Sequence, residues 1–158
     1  MNTAYVALGA NLGDPKATVL AAFAALANLP ESRIARCSSL YRTAPVGILS
    51  QPDFVNAVAL LETTLAPEAL LDALLDIEAR FGRIRRERNG PRTLDLDLLL
   101  YDDIELDLPR LTLPHPRLHL RAFVLLPLAE VAPDLAIPRR GSVAAWLPAV
   151  ANQGIVRL

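Results

Sequence analysis

Hydrophobic residues follow two different periods along the chain, and their alternation predicts a fold that contains both helices and strands. A helical period begins at Asp14, an N-cap residue type followed by Pro15, and continues to residue 29. A second helix is predicted to begin at Pro67 and to end at Gly82, a residue type that favours helix termination. Runs rich in apolar and β-branched residues predict strands over 3–8, 33–41, 54–63, 93–101 and 154–158.

The order of these elements predicts a single α+β domain that spans all 158 residues. The chain reads β-α-β-β-α-β, the order of a ferredoxin-like antiparallel sheet with helices packed on it. A loop is predicted over 42–52, and Asp102 and Asp103 are predicted to form a hairpin turn into a strand over 104–106. Extra C-terminal elements are predicted as helices over 121–131 and 143–147.

The strand over 93–101 places two carboxylates on one face. Because alternate side chains of a strand point to opposite faces, Asp95 and Asp97 lie together, about 7 Å apart. Their repulsion is roughly 2 kcal/mol at an effective dielectric constant near 20, and a divalent cation would convert it into attraction. Mg²⁺ is held by one or two carboxylates plus substrate phosphates, although the pattern also fits the wet face of an ordinary sheet. The opposite face is predicted to be buried and carries Leu94, Leu96, Leu98 and Leu100.

Composition and charge limit the possible classes of protein. A chain that is 53% hydrophobic and 21% charged is not a disordered one. The net charge of −1 is less basic than a protein that coats duplex nucleic acid would need. No apolar run approaches the roughly 18 residues of a membrane span. We therefore expect a cytoplasmic monomer without nucleic-acid or membrane partners, and the single Cys37 excludes an internal disulfide.

Arginines are concentrated directly before the acid pair. Arginines that can bind phosphate, next to carboxylates that can bind a metal, are typical of a site for a metal–triphosphate complex. A run of arginines also fits a solvated loop. Further along, His115 is held between two prolines, whereas His119 is expected at the surface. The basic residues of these two regions are Arg83, Arg85, Arg86, Arg88, Arg92, Arg110, Arg117 and Arg121.

Six segments occur in an order that resembles one enzyme family. The most specific is 88–99, with the sequence RNGPRTLDLDLL, and the others are 7–13, 39–45, 51–57, 78–83 and 113–117. Together they are similar to the 6-hydroxymethyl-7,8-dihydropterin pyrophosphokinases of folate biosynthesis. The resemblance implies that the β,γ-pyrophosphoryl group of ATP is transferred to the hydroxymethyl group of the reduced pterin, and that AMP is released.

The resemblance also implies roles for individual residues. The acids Asp95 and Asp97 would hold two Mg²⁺ ions on the phosphates of ATP. Triphosphate charge would be neutralised by Arg83 and Arg92, and the nucleotide would be contacted by Arg88, Arg110, His115 and Arg121. The pterin would stack between Phe54 and Phe123, although both also fit plain core positions. Its ring edge would be hydrogen-bonded by Asn56, with backbone groups of Thr43, Ala44 and Val46 completing the contacts.

The sequence leaves three further points open. Glu78 is either a surface charge of its helix or a partner for the arginines of the loop. Some relatives carry Trp where this chain has Asn89, and the only tryptophan is Trp146. Two other functions also fit: a metal-dependent nucleotidyltransferase that releases pyrophosphate, and a non-catalytic regulatory or RNA-binding module, which would expose aromatic residues on its sheet.

Overall fold

The structure is a computed structural model that describes residues 1–44, 50–82 and 93–158. The helices in these ranges are α1 (Pro15–Ala27), α2 (Pro67–Arg80), α3 (Ala122–Val131), α4 (Val143–Trp146) and the 3₁₀ helices Leu118–Leu120 and Leu147–Val150. The strands are β1 (Asn2–Ala10), β2 (Ser32–Cys37), β3 (Tyr41–Thr43), β4 (Phe54–Thr63), β5 (Asp95–Tyr101), β6 (Leu106–Leu108), β7 (Leu111–Leu113), β8 (Ala136–Ile137), β9 (Gly141–Ser142) and β10 (Ile155–Arg157).

The two predicted helices begin where their capping residues indicated. The Asp14 side chain accepts a hydrogen bond from the Ala17 N–H at 3.1 Å, and Pro15 is the first residue of α1. Helix α2 begins at Pro67 and ends before Gly82, which has a φ of +76°, a left-handed conformation that glycine adopts without strain. Within the described ranges, no helix is both long and apolar enough to cross a membrane.

The main sheet confirms the ferredoxin-like prediction. Its core strands lie in the order β5-β1-β4-β2, and every neighbouring pair is antiparallel. Strands β3 and β10 extend the sheet beside the first half of β4. Strand β1 therefore lies between β4 and β5. A residue of β4 and a residue of β5 that pair with the same residue of β1 lie in one row across the three strands.

Two predicted strands differ from the structure. The strand predicted over 33–41 is two strands, because the Ser38 side chain interrupts the ladder: its Oγ accepts the Val58 N–H at 2.9 Å. The loop predicted from residue 42 begins only after Thr43, since β3 continues to that residue. Asp102 and Asp103 do form the predicted turn after β5, and the Asp102 side chain accepts the Thr3 N–H. The strand predicted over 104–106 is wrong, because β6 begins at Leu106 and pairs with β7.

Helices cover both faces of the sheet and form two hydrophobic cores. Helices α1 and α2 pack on one face against Val6, Leu96 and Leu98. Helices α3 and α4 pack on the other face, together with Leu99 and Leu100. A shift of register opposite Tyr5 and Val6, a β-bulge in β5, moves Leu100 to the α3 face. The prediction that four leucines share one buried face is therefore wrong for Leu100.

The C-terminal end of α3 is attached to the start of β3 by a partly buried carboxylate. Glu130 accepts hydrogen bonds from the Tyr41 hydroxyl at 2.7 Å and from the backbone and side chain of Ser39 at 2.9 Å. The Arg157 guanidinium lies 3.6 Å from the same carboxylate. Burial raises the pKa of Glu130, but these hydrogen bonds outweigh burial and hold the pKa below its ordinary value.

We expect Glu130→Gln to lower the free energy of unfolding by about 2 kcal/mol at pH 7, because charge-assisted hydrogen bonds become neutral or mismatched. A carboxylate with a lowered pKa stabilises the folded state above about pH 4.3, its unfolded value, and loses this contribution as the pH falls through the folded pKa. Urea denaturation should therefore show a gap between wild type and variant that narrows from pH 7 towards pH 3. The exposed Glu105→Gln serves as a control, and an equal gap at every pH would contradict the assignment.

Candidate active site

The acid pair lies at the end of β5 that is nearest the start of α3. Asp95 and Asp97 are half-buried on the face of the sheet that α3 covers. Their positions are set by β1, because Asp97 is paired with Ala7 and Asp95 with Gly9. The predicted sharing of one face by the two carboxylates is therefore observed.

Gly9 lies between a carboxylate and an amide in one row across three strands. It is paired with Asp95 on one side and with Asn56 on the other. Two strand spacings separate these partners by about 10 Å. A Cβ atom at Gly9 would approach the Asn56 Oδ1 to 3.0 Å. The glycine thus leaves the floor between Asn56 and Asp95 without a side chain, as close backbone approach to a ligand requires.

The amide of Asn56 is buried and has a defined orientation. Its Nδ2 donates to the Thr43 Oγ1 at 2.8 Å, which leaves the Oδ1 on the side of Gly9. Phe54 lies two residues earlier on the same face of β4 and is partly exposed. An amide with a fixed edge beside an aromatic ring can bind a flat heterocycle that carries both donors and acceptors.

Arg121 faces the acid pair from the residue directly before α3. Burial lowers its pKa, and the negative charges of Asp97 and Asp95 oppose that shift, so the guanidinium and the two carboxylates share one electrostatic environment. The guanidinium carbon lies 5.4 Å from the centroid of the Phe123 ring, within cation–π distance. A cation and an aromatic face are therefore presented together.

His115 lies against the bulged part of β5 and is neutral near pH 7. Its backbone N–H donates to the Leu99 oxygen at 2.9 Å. Burial lowers the pKa of His115 to about 4, and Arg121 adds to the shift, whereas Asp95 opposes it. The Nδ1 atom accepts the Arg117 N–H at 3.2 Å, so in the neutral ring the proton is assigned to Nε2. The site therefore contains a neutral imidazole that can donate a hydrogen bond.

The small number of described protein ligands beside Asp95 and Asp97 indicates which metal the site would fit. No group of three or more His, Cys, Asp or Glu side chains that could hold a metal occurs in the described part of the chain. A cation beside Asp95 and Asp97 would therefore take two carboxylates here and further oxygen ligands from elsewhere. This donor set fits Mg²⁺, which retains waters and binds substrate phosphates, better than it fits zinc.

The predicted site residues fall into three groups. The structure gathers eight of them at one end of the α3 face or beside it: Thr43, Phe54, Asn56, Asp95, Asp97, His115, Arg121 and Phe123. Arg110 lies instead in the turn between β6 and β7, exposed, and forms an ion pair with Asp72 of α2. Ala44 is exposed at the end of β3. The remaining predicted residues lie outside the described ranges: Val46, Arg83, Arg88 and Arg92.

Three supporting residues were missed or misread from the sequence. Gly9 was predicted to follow the strand over 3–8, whereas β1 continues to Ala10, so its place as a glycine inside a strand was missed. Asn11 is buried and donates to the Gln51 Oε1 at 2.8 Å and to the Pro52 oxygen at 3.0 Å, which fixes the approach to β4. The expectation that His119 lies at the surface is wrong, since it is only 6% exposed.

Glu78 supports the acid pair from α2. Its carboxylate is buried and accepts the Leu96 N–H at 2.7 Å, at the residue between Asp95 and Asp97. Neither of the two interpretations from the sequence included this bond to β5. A carboxylate that holds the backbone between two other acids helps to fix where both of them point.

Comparison with known proteins relates the chain to one enzyme family. The family model described as 7,8-dihydro-6-hydroxymethylpterin-pyrophosphokinase (HPPK) matches residues 5–133. The chain is 52% identical, over 154 residues, to the 2-amino-4-hydroxy-6-hydroxymethyldihydropteridine pyrophosphokinase of Pseudomonas aeruginosa, covering 98% of this chain and 95% of that protein. It is 44% identical over 158 residues to the protein of the same name from Haemophilus influenzae, covering 100% of this chain and 99% of that protein.

A solved structure supports the fold independently. The crystal structure of Plasmodium falciparum HPPK-DHPS wild type with pteroate matches with a TM-score of 0.76 at 14% identity. The match covers 93% of this chain and 42% of that chain, so this protein spans less than half the length of the solved one. At this identity the likeness concerns the fold alone.

We expect an NMR titration of the folded protein to give His115 a pKa of about 4, with the Nε2–H tautomer at pH 7. Because this pKa lies below the ordinary value of about 6.5, His115 favours the folded state above pH 6.5, and this contribution is lost as the pH falls through 4. The same residue in urea-unfolded protein provides the control and should titrate near 6.5. A folded-state pKa near 6.5 would contradict the burial argument.

Proposed function

The chain belongs to the 7,8-dihydro-6-hydroxymethylpterin-pyrophosphokinase family, and we propose that its acid pair binds ATP through Mg²⁺ while Asn56 holds the pterin. The family transfers pyrophosphate to hydroxymethyldihydropterin in folate biosynthesis. One observation carries the proposal for these residues: Asn56, Gly9 and Asp95 form a single row. This row places a group that can bind a heterocycle about 10 Å from a metal-binding carboxylate, on one face and without a side chain between them.

The nucleotide half of the site is formed by Asp95, Asp97, His115 and Arg121. The two carboxylates would hold the two Mg²⁺ ions implied by the resemblance, and magnesium would supply charge neutralisation and orientation of the triphosphate. Arg121 adds a fixed positive charge opposite the acids, and the neutral His115 can donate its Nε2–H to a phosphate oxygen. The loop residues Arg83, Arg88 and Arg92 remain predicted contributors of further positive charge.

The pterin half is formed by the aromatic residues and Asn56. Phe54 and Phe123 would stack on the two sides of the ring, while Asn56 binds its edge. The bond from Asn56 to Thr43 fixes the amide before the substrate arrives. Such preorganisation lowers the entropy that must be lost when the hydroxymethyl group is brought to the phosphate.

The reaction requires positioning more than covalent assistance from the protein. The hydroxymethyl oxygen of the pterin attacks the β-phosphorus of ATP, the bond from the β-phosphorus to the bridging oxygen breaks, and AMP leaves with that oxygen. The hydroxyl proton is lost to solvent or a nearby acceptor. The chain's contribution is to align the attacking oxygen and to offset the negative charge of the triphosphate through Arg121.

The proposal predicts that the purified protein converts ATP and 6-hydroxymethyl-7,8-dihydropterin to AMP and the pterin diphosphate, and that EDTA stops the reaction. Asp95→Asn and Asp97→Asn should each lower kcat by at least about a hundredfold, because each removes a ligand charge at the reacting phosphates. Thermal unfolding should remain close to that of wild type, since both side chains are only half-buried.

Asp107→Asn is the matched control, because Asp107 is an exposed strand carboxylate on β6, outside the main sheet. Its turnover should equal that of wild type. Release of pyrophosphate instead of AMP would indicate a nucleotidyltransferase, and undiminished turnover in both site variants would refute the assignment of the acid pair.

Gly9→Ala should raise the KM for the pterin by about tenfold and leave the affinity for ATP nearly unchanged. The added methyl group would lie 3.0 Å from the Asn56 Oδ1 and would displace the amide that binds the ring edge, at an energetic cost of about one hydrogen bond. Steady-state kinetics with each substrate varied in turn would measure both effects. An unchanged KM for the pterin in Gly9→Ala would contradict the role of the row.

A further inference from the structure

The N-terminus of α3 has an unusual residue at its N-cap position. Helix N-caps are usually Ser, Thr, Asp or Asn, whose side-chain oxygens accept the first free N–H groups. Here the position is occupied by Arg121, which has no acceptor and makes no side-chain capping bond. A cation facing the acid pair has therefore replaced the residue type that would cap the helix, and the N–H of Ala122 needs another acceptor.

The missing cap is supplied by Gln153, from 31 residues further along the chain. Its Oε1 accepts the Ala122 N–H at 2.9 Å, and its Nε2 donates to the Leu120 oxygen at 3.0 Å. These two backbone groups flank Arg121 on either side. Only one orientation of the amide satisfies both, since the reverse would place donor against donor and acceptor against acceptor. The Gln153 side chain thus fixes the backbone on both sides of Arg121.

The segment that carries Gln153 is itself firmly attached to the sheet. The Gln153 N–H donates to the oxygen of Val150, whose side chain is buried in the α3 core. Two residues later, Ile155 begins β10 and pairs with Thr43 of β3. The same short segment therefore contacts Thr43 in the pterin half of the site and the Arg121 backbone in the nucleotide half.

A second contact restrains the 3₁₀ helix directly before Arg121. The ring of His119 is buried and meets Trp146 of α4 edge-on, with their centroids 4.8 Å apart. Trp146 in turn donates its Nε1–H to the Arg140 oxygen at 2.9 Å. Trp146, the only tryptophan of the chain, thus packs against the 3₁₀ helix before Arg121. Together with Gln153, it restrains the backbone from His119 to Ala122.

We propose that Gln153 is a positioning residue for the reaction: by bridging Leu120 and Ala122, it holds the Arg121 guanidinium opposite Asp95 and Asp97. The inference rests on the proposed function of the acid pair and adds to it a role for the C-terminal segment. Gln153 is not proposed to contact substrate. It acts only through Arg121, and that dependence is what an experiment can test.

The test is a double-mutant cycle on the full chain. Gln153→Met keeps the size of the side chain and removes both hydrogen bonds, and we expect kcat/KM for ATP to fall about tenfold. In an Arg121→Ala background the same change should have less than about a twofold effect, because the group that Gln153 positions is gone. Asn152→Leu, at the exposed neighbouring residue, is the matched control and should behave like wild type. An equal fall in both backgrounds would show a purely structural role and overturn the proposal.

A direct readout separates this proposal from the proposed function. The Arg121 Nε–H resonance and the hydrogen exchange of the Ala122 amide, measured by NMR, should change in Gln153→Met and not in Asn152→Leu. If Gln153→Met is too unstable to study, Gln153→Glu retains the acceptor for Ala122 and should give an intermediate loss. Unchanged resonances and exchange would overturn the positioning role even in an active enzyme. A wild-type chain that makes no AMP would refute the proposed function, while the NMR comparison would still decide whether Gln153 holds Arg121.

Discussion

The pairing of β1 with two neighbours at once is the constraint on which the rest of the site depends. Strand β1 lies between β4 and β5, and its residue Gly9 is opposite Asn56 on one side and Asp95 on the other. Because cross-strand partners point to the same face, this register brings an amide and a carboxylate from distant parts of the chain into one row. A slip of one residue would turn either of them to the opposite core.

The β-bulge in β5 allows one strand to serve both a reactive face and two cores. Before the bulge, Asp95 and Asp97 alternate with leucines that pack against α1 and α2. After it, Leu99 and Leu100 face α3, and the Leu99 oxygen accepts the N–H of His115. The bulge therefore both anchors α3 to the sheet and docks the histidine beside the acids, which agrees with the frequent occurrence of bulges next to active sites.

The α3 face shows how functional charges are held by groups remote in sequence. Glu130 attaches the end of the helix to β3, and Gln153 caps its beginning in place of a local residue. Glu78 reaches from the opposite core to the backbone between the two acids. Each is a long-range polar contact to backbone or hydroxyl, of the kind that orients a site without touching its ligand.

The sequence by itself determined the helices, the order of the core strands and the identity of the acid pair. Those features depend on local rules: capping by Asp14 and Pro15, termination at Gly82, and the period-two alternation of Asp95 and Asp97. It also indicated the family, because six segments occur in the family's order between residues 7 and 117.

Only the tertiary structure decided which distant residues meet. The bulge that turns Leu100, the ladder position taken by Ser38, the burial of His119 and the bridge from Gln153 each depend on a partner more than ten residues away. The periodicity of the sequence predicts which face of a helix or strand a residue lies on, whereas strand register and long-range hydrogen bonds depend on how the helices and strands pack together. For this reason the sequence could identify Arg121 as a cation of interest but could not show what holds it in place.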